Sequence, residues 1–434
     1  MTPEPQTTGR YIVLLCKKKP RASAQRLAEL TGVRILHSRG RRHLPTPERQ
    51  CAIVFDHIGV ALLYCADKAS DSIMQAALAG DEAILAVEPE RRVYASTQGN
   101  DPILDAYLQG YRDGIEDLSR RISQGVAGRP EEPLVPDETG STAWGVVAVG
   151  ANQASGRGRG IRIAILDTGL DLDHPDFQNR SITAKSFIEG EEVQDANGHG
   201  THCAGIAAGP LMPESMQRYG VASEAELFIG KVLGNQGGGS DGSVLQGIDW
   251  AIENGCDIIS MSLGSPSQPG EPHSQVFEAV AQRALDAGCL ILAAAGNESQ
   301  RPEHIAPVGH PANCPSILAV AAVDKNLHVA EFSCGGLSSG GGEVDLAAPG
   351  VDILSAWPSP RNHHTISGTS MATPFVAGVA ALHAEAESEL RGSELWQRLI
   401  QTARPLDAPA RDVGAGLVQA PMAQERPVHA LGGS

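Results

Sequence analysis

Aromatic residues are scarce in this sequence, 4% of 434 positions, while glycine occurs 49 times and proline 28 times. That scarcity excludes an aromatic-rich binding surface and favours an α/β fold turned by glycine. Long apolar runs are missing too. None reaches 18 residues, so no transmembrane helix is expected. An excess of basic charge is also absent: the net charge is −17, which speaks against nucleic acid as a partner. The eight cysteines show no C-x-x-C spacing. Cys16, Cys51 and Cys65 lie early, while Cys203, Cys256, Cys289, Cys314 and Cys334 lie late, and free thiols are the default reading. The opening "MTPEPQTTGRYIVLLCKKKP" has no signal-peptide pattern, because its apolar run is short and its basic residues follow that run. A cytoplasmic location, or secretion by a non-classical route, is therefore expected.

What is present is enough apolar residue, 41%, for a sizeable core, and a charge that is unevenly spread. Residues 1–95 hold 14 Lys and Arg against 10 Asp and Glu, a net +4, so the remainder carries −21. The opposite signs predict mutual attraction. Residues 1–95 read as strand (YIVLLC), helix (SAQRLAEL), strand (VRILH), one apolar stretch (AIVFDHIGVALLYCA), helix (DSIMQAALAG) and strand (ILAVEP). That β-α-β-β-α-β order predicts a small ferredoxin-like α+β domain. Residues 96–143 form a connector, with a helix expected over Leu104–Ile122 and an exposed linker after it. From 144 to 420 the rhythm changes, and residues 421–434 form a tail. Near-continuous apolar runs (IRIAIL, ELFIGKVL, DIISMSL, CLILAAA, SILAVAAV) predict a parallel sheet buried on both faces.

Open parallel sheets carry their sites at the carboxyl ends of strands. Here those ends run into Asp167-Thr168-Gly169, Ser262-Leu263-Gly264 and Gly296-Asn297. Two small-residue helices open with "GHGTHCAG" and "SGTSMATP". An acid, an imidazole, an amide and a hydroxyl thus all sit at element ends. His199 and His202 have the spacing of a metal pair, but no third ligand or H-E-x-x-H pattern accompanies them.

Taken together, "AILDTGLDLDHPDF", "GHGTHCAG", "SMSLG", "AAAGN" and "SGTSMATP" resemble the motifs of the subtilisin family of serine proteases, the subtilases. "HGTHCAG" and "LFIGKVLG" lean toward its proteinase K-like members. The resemblance spans about residues 144–420 and implies a three-layer α/β fold with a mostly parallel central sheet. It implies Asp167, His199 and Ser370 as the catalytic triad and Asn297 as the oxyanion donor, in a serine endopeptidase that needs no cofactor for its chemistry. His202 is then structural, and Cys203 packs near the histidine without acting as a nucleophile. Ser370 falls at a predicted helix N-terminus, and Pro374 in or just past the first turn, where a missing N–H costs little.

Polypeptide substrates would bind by strand addition on Gly237, Gly238, Gly239 and Ser240 and on Ser262, Leu263 and Gly264. Ala294, Ala295, Gly296 and Gly309 would shape an open first pocket that takes large apolar or aromatic side chains. Asp241, at the rim of a more distant subsite, is expected to favour a basic residue. Asp176 matches a family calcium ligand, but "GPLMPESMQRYGVAS" lacks the Asn-rich loop that completes the site, so structural calcium stays open. The N-terminal domain, ending "AVEPERRVYA", resembles the family's inhibitory propeptide, an intramolecular partner removed by self-cleavage between about Ser96 and Ser141. A protease dedicated to one peptide precursor, or a catalytically silent groove-binding protein, is the alternative.

Overall fold

A computed structural model describes residues 7–38, 51–64, 67–95, 141–178, 180–213, 217–337 and 341–422. The connector helix and the expected cleavage region before residue 141 lie outside these residues, as do Cys65 and the tail from 423. Among the described residues, no helix is long and apolar enough to cross a membrane.

The N-terminal unit comprises β1 (Thr7–Leu15), α1 (Pro20–Thr31), β2 (Arg34–His37), β3 (Cys51–Phe55), β4 (Val60–Leu63), α2 (Asp67–Leu78) and β5 (Ile84–Ala95). Its α+β make-up is as expected, with one difference. The apolar stretch read as a single strand is the hairpin β3–β4, which turns at Gly59, where φ is +64°. The run had hidden the turn because both strands are buried throughout. Strand β1 lies between β4 and β5, antiparallel to both. Its residues alternate between two cores. Val13 and Leu15 pack with Ala24 and Leu27 of α1, while Ile12 and Leu14 join the core of the body.

The body begins with α3 (Trp144–Ala148) and carries the sheet strands β6 (Arg162–Asp167), β7 (Ile182–Ser186) and β8 (Glu226–Lys231). Helix α4 (His199–Ala208) lies between β7 and β8 in sequence, and β9 (Gly238–Ser240) leads into α5 (Asp241–Glu253). Then follow β10 (Ile258–Met261), β11 (Leu263–Gly264), α6 (Gln275–Asp286), β12 (Leu290–Ala294), β13 (Leu318–Val323) and β14 (Leu346–Pro349). The hairpin β15 (Ile353–Ala356) and β16 (His363–Ile366) precedes α7 (Thr369–Ala386) and α8 (Gly392–Thr402).

Seven strands pair in the order β14-β13-β12-β10-β6-β8-β7, each pair parallel. Successive residues face opposite cores. Ile163, Ile165, Leu227 and Ile229 point to one side, and Ala164, Leu166 and Phe228 to the other. This is why the strands read as unbroken apolar runs. Helix α7 is small-residue and buried over most of its length. Gly378 lets it press close to its neighbours, since a Cβ there would sit 2.6 Å from Val221 Cβ and 2.8 Å from Ala207 O.

The sheet of the N-terminal unit continues into the body. Strand β5 runs antiparallel to β11 on one side and to β9 on the other. The polar contacts across this junction do not follow net charge. Glu88 accepts from the backbone N–H groups of Gln275 (2.7 Å) and Val276 (3.2 Å) at the start of α6. Glu90 accepts from Gly242 N–H (2.9 Å) at the start of α5. Asp249 of the body accepts from the backbone of His57 (2.8 Å) and Ile58 (3.1 Å), and Arg283 donates to Leu15 O (3.0 Å). Acids of the nominally basic unit thus serve the positive helix ends of the acidic body. Of the "KKKP" run, Lys19 is paired within its own unit, with Glu82 at 3.0 Å.

Candidate active site

Asp167 ends β6, and its Oδ1 accepts from His199 Nδ1 and from Thr168 N–H, each at 2.7 Å. Both side chains are buried. His199 opens α4 between two glycines whose lack of a side chain is a steric requirement. Gly198 has φ +105°, and a Cβ there would strike the Trp357 ring. A Cβ on Gly200 would strike the Gly169 carbonyl.

Asp195 fixes this helix start, a role the sequence reading missed. Its Oδ1 accepts from the N–H groups of Gly198 (2.9 Å) and Asn197 (3.0 Å) and from the Thr168 hydroxyl (3.0 Å). Its Oδ2 accepts from Thr201 N–H (2.9 Å) and hydroxyl (2.7 Å). Thr168 Oγ1 in turn accepts from Gly200 N–H at 2.8 Å, so the Asp167 loop and the His199 helix are tied together. Lys231, fully buried, holds the same loop by donating to Asn235 Oδ1 (2.8 Å) and to Thr168 O. The only local hint of these roles is polarity beside an apolar strand or a glycine turn.

Ser370 sits in the first turn of α7, buried, and its Oγ donates to Ser262 O at 3.1 Å. Pro374 lies just past the first turn, within the range expected for it. It occupies the position whose N–H would bond the Ser370 carbonyl four residues back. That carbonyl is instead served by Ser262 Oγ (2.7 Å) and Cys203 Sγ (3.6 Å). The proline thus releases a backbone acceptor, which ties the serine turn to the strand edge and to the histidine helix. Asn297 Oδ1 accepts from Thr369 N–H and from Thr369 Oγ1, each at 2.9 Å. With the oxygen so engaged, Nδ2 is the donor end of the amide.

The two histidines of α4 differ sharply. For His199, burial pulls the pKa down, but the adjacent Asp167 charge and hydrogen bond outweigh it and hold the ring well above its ordinary 6.5. His202 is pushed down to about 3 by burial and by the His199 charge. It stays neutral, and its Nε2 donates to the carbonyls of Ile353 (3.0 Å) and His364 (3.1 Å), a structural role as expected. Cys203 packs 3.9 Å from His199 Nδ1, and burial raises its thiol pKa, so it stays protonated. All seven described cysteines are free thiols. Among the described residues, Asp167 Oδ2 and His199 Nε2 are buried without a hydrogen-bond partner.

The expected substrate edges come together around β5. Arg92, Val93 and Tyr94 pair with Ser240, Gly239 and Gly238, and Ala95 N–H donates to Gly237 O at 2.9 Å. On the other side, Tyr94 and Ala95 pair with Gly264 and Leu263. The expected pocket residues also converge. Gly309 N–H donates to Ala295 O (2.9 Å), and Ala294 and Gly296 flank that residue. Asp241 is the exception. It is 1% exposed and paired with His310 Nε2 at 2.9 Å, so its carboxylate is not offered to a basic substrate side chain.

Asp176 does not fit the calcium site its motif suggested. Its Oδ2 accepts from the Tyr219 hydroxyl and from His363 Nε2 (2.8 Å), while its own N–H donates to His174 Nδ1 (3.1 Å). Calcium takes six to eight oxygen ligands. One imidazole and a phenol already engage the carboxylate, and the second imidazole accepts from the Asp176 backbone.

The sequence has a counterpart among known proteins: the Peptidase_S8 family, the subtilase family, matches residues 158–416. The chain belongs to the subtilase family. Like its kin it is a serine endopeptidase that needs no cofactor for catalysis. An "Intracellular serine protease" of Paenibacillus polymyxa is 42% identical over 272 residues, 60% of this chain and 79% of the relative. A "Thermostable alkaline protease" of Halalkalibacterium halodurans is 42% identical over 281 residues, 64% and 72% of the two chains. "Subtilisin Savinase" of Lederbergia lenta is 38% identical over 284 residues, 64% and 97%. This subtilase's matched region holds Asp167, His199, Asn297 and Ser370. The N-terminal unit lies outside it.

Proposed function

We propose that this subtilase hydrolyses peptide bonds in extended polypeptides through Asp167, His199 and Ser370, and that residues 1–95 block its cleft until the enzyme cuts them away. The observation that carries the reading is the course of β5. A strand of the same chain lies in the groove between β9 and β11, where a substrate would add, and ends beside Leu263. The neighbouring residue, Ser262, is the one whose carbonyl receives the Ser370 hydroxyl.

In the reaction, His199 Nε2 takes the Ser370 Oγ proton as Oγ bonds to the substrate carbonyl carbon. The carbonyl electron pair moves onto oxygen, and Asn297 Nδ2 and the Ser370 N–H donate to that oxyanion. His199 passes the proton to the leaving amine as the C–N bond breaks, and an acyl ester remains on Ser370. Water, activated by His199 in its turn, releases the acid. Asp167 keeps the proton on Nδ1 and stabilises the imidazolium, the division of labour described for subtilisin itself.

Side-chain alternation along β5 supports a substrate preference. Val93 is fully buried and Tyr94 is 44% exposed. A substrate is read as apolar where it meets Gly239 and hardly at all one residue later. The small residues around Ala295 favour apolar or aromatic side chains at the cleaved position.

The test is the fate of the purified full-length chain. The wild type should shorten to a species that starts after residue 95, and Ser370→Ala should stay intact under the same conditions. A Ser370→Ala chain that shortens at the same rate in pure solution would contradict self-processing.

A further inference from the structure

The ladder between β5 and β9 stops where the chain turns into α5, because Ser240 is the last strand residue and also the helix cap. Main-chain recognition continues past that point through a side chain. Asp241, the first residue of α5, accepts the Arg91 backbone N–H on Oδ2 at 2.9 Å. Its other oxygen, Oδ1, accepts from His310 Nε2 at 2.9 Å. Asp241 and His310 are each about 98% buried. The imidazole is itself fixed. Its ring stands edge-on to Phe277, with centroids 4.7 Å apart, and its backbone N–H and C=O both bond to Ser265 (2.9 and 2.8 Å), one residue past β11. His310 therefore bridges the two edges that flank the groove. Its Nδ1 is buried without a partner among the described residues, so the ring is turned to serve Asp241 through Nε2.

From this geometry we infer that Asp241, positioned by His310, is a substrate-binding residue. It accepts the peptide N–H four residues before the one whose N–H meets Gly237 O. The inference rests on reading β5 as a stand-in for substrate. It replaces a side-chain preference with a main-chain one. The Asp241 contact demands an N–H at that position and touches no part of the side chain, since the Arg91 guanidinium reaches instead to Glu271 of the body at 3.3 Å. Substrates are thereby read over a longer stretch than the glycine ladder alone provides, and a proline or N-methyl residue at that position is disfavoured. A hydrogen bond to a charged acceptor of this kind is worth roughly ten-fold or more in binding.

The test uses the mature enzyme and two chromogenic peptides that carry the sequence of residues 88–95 and differ only by N-methylation at the Arg91 position. The readout is the ratio of their kcat/KM values within one enzyme preparation, so any loss of folded protein cancels. Wild type should favour the N–H peptide by about ten-fold. Asp241→Ala should bring the ratio close to one, and Asp241→Asn, which keeps an acceptor oxygen, should restore part of it. His310→Phe should lower the ratio by loosening the carboxylate. An equal penalty for N-methylation in wild type and Asp241→Ala would overturn the inference while leaving the protease reading intact. Failure of the enzyme to cleave either peptide, or any protein, would overturn the groove reading and the inference with it.

Discussion

The Asp167–His199 pair and the Asp176–His363 pair are made of the same two side chains at nearly the same separation, 2.7 and 2.8 Å. They differ in which ring nitrogen faces the acid and in how complete the surrounding network is. In the first, Nδ1 meets the carboxylate, which leaves Nε2 buried and unpartnered among the described residues, the end the proposed mechanism uses. In the second, Nε2 itself meets the carboxylate, and the Tyr219 hydroxyl shares the same oxygen. His174 lies alongside, its ring edge-on to His363 and its Nε2 donating to Asn362 O at 2.6 Å. The first network is unfinished at Nε2, the atom that takes the proton in the proposed mechanism. The second is closed by protein donors and holds the β15–β16 hairpin against the residues after β6. The contrast lies in which nitrogen is committed: the Nε2 of His363 is held by Asp176, whereas the Nε2 of His199 has no hydrogen-bond partner among the described residues.

The comparison breaks most visibly when each pair is cut. His199→Ala should lower kcat on a peptide substrate by about 10⁶-fold, a magnitude measured on subtilisin and taken from there. His363→Ala should leave kcat/KM within a few-fold and instead lower the melting temperature. A large loss of kcat in His363→Ala at full folding would erase the distinction.

Proton affinity sharpens the contrast. The raised pKa of His199 means the base is protonated, and inactive, until pH rises through a value above 6.5. The acid limb of kcat/KM should therefore have its midpoint above 6.5, and a midpoint at or below that ordinary value would contradict the Asp167 effect. The smallest expected effect concerns the closed network. Tyr219→Phe should cost about 1–2 kcal/mol in denaturant unfolding by removing one buried hydrogen bond. A chelator should leave the wild-type melting temperature unchanged, because Asp176 is engaged by protein donors. A marked fall on chelation would show that an ion shares the site.

The sequence exposed the four chemical groups because each sits where an apolar strand or a small-residue helix meets glycine. Gly198, Gly296 and Gly368 bound three of those junctions. The two edges that pair with β5 were legible for the same reason, through Gly237–Gly239 and Gly264. The supporting acids and bases were not. Asp195 and Lys231 act on partners brought near by folding, and nothing local distinguishes them from surface charges. Asp241 was misread for that cause: its environment is set by His310, 69 positions away. Strand β7 escaped notice because "ITAKS" is short and partly exposed, and β14 because "LAAP" ends in proline. The docking of the N-terminal unit was sought in net charge, whereas it rests on individual carboxylates at helix starts and on shared apolar faces.

The most direct test of the central claim is fluorophosphonate labelling of the mature enzyme, with the modified residue located by peptide mapping. A single adduct is expected on Ser370, forming quickly in wild type and lost in His199→Ala. An adduct on another residue, or labelling of Ser370 that proceeds equally well without the imidazole, would contradict it.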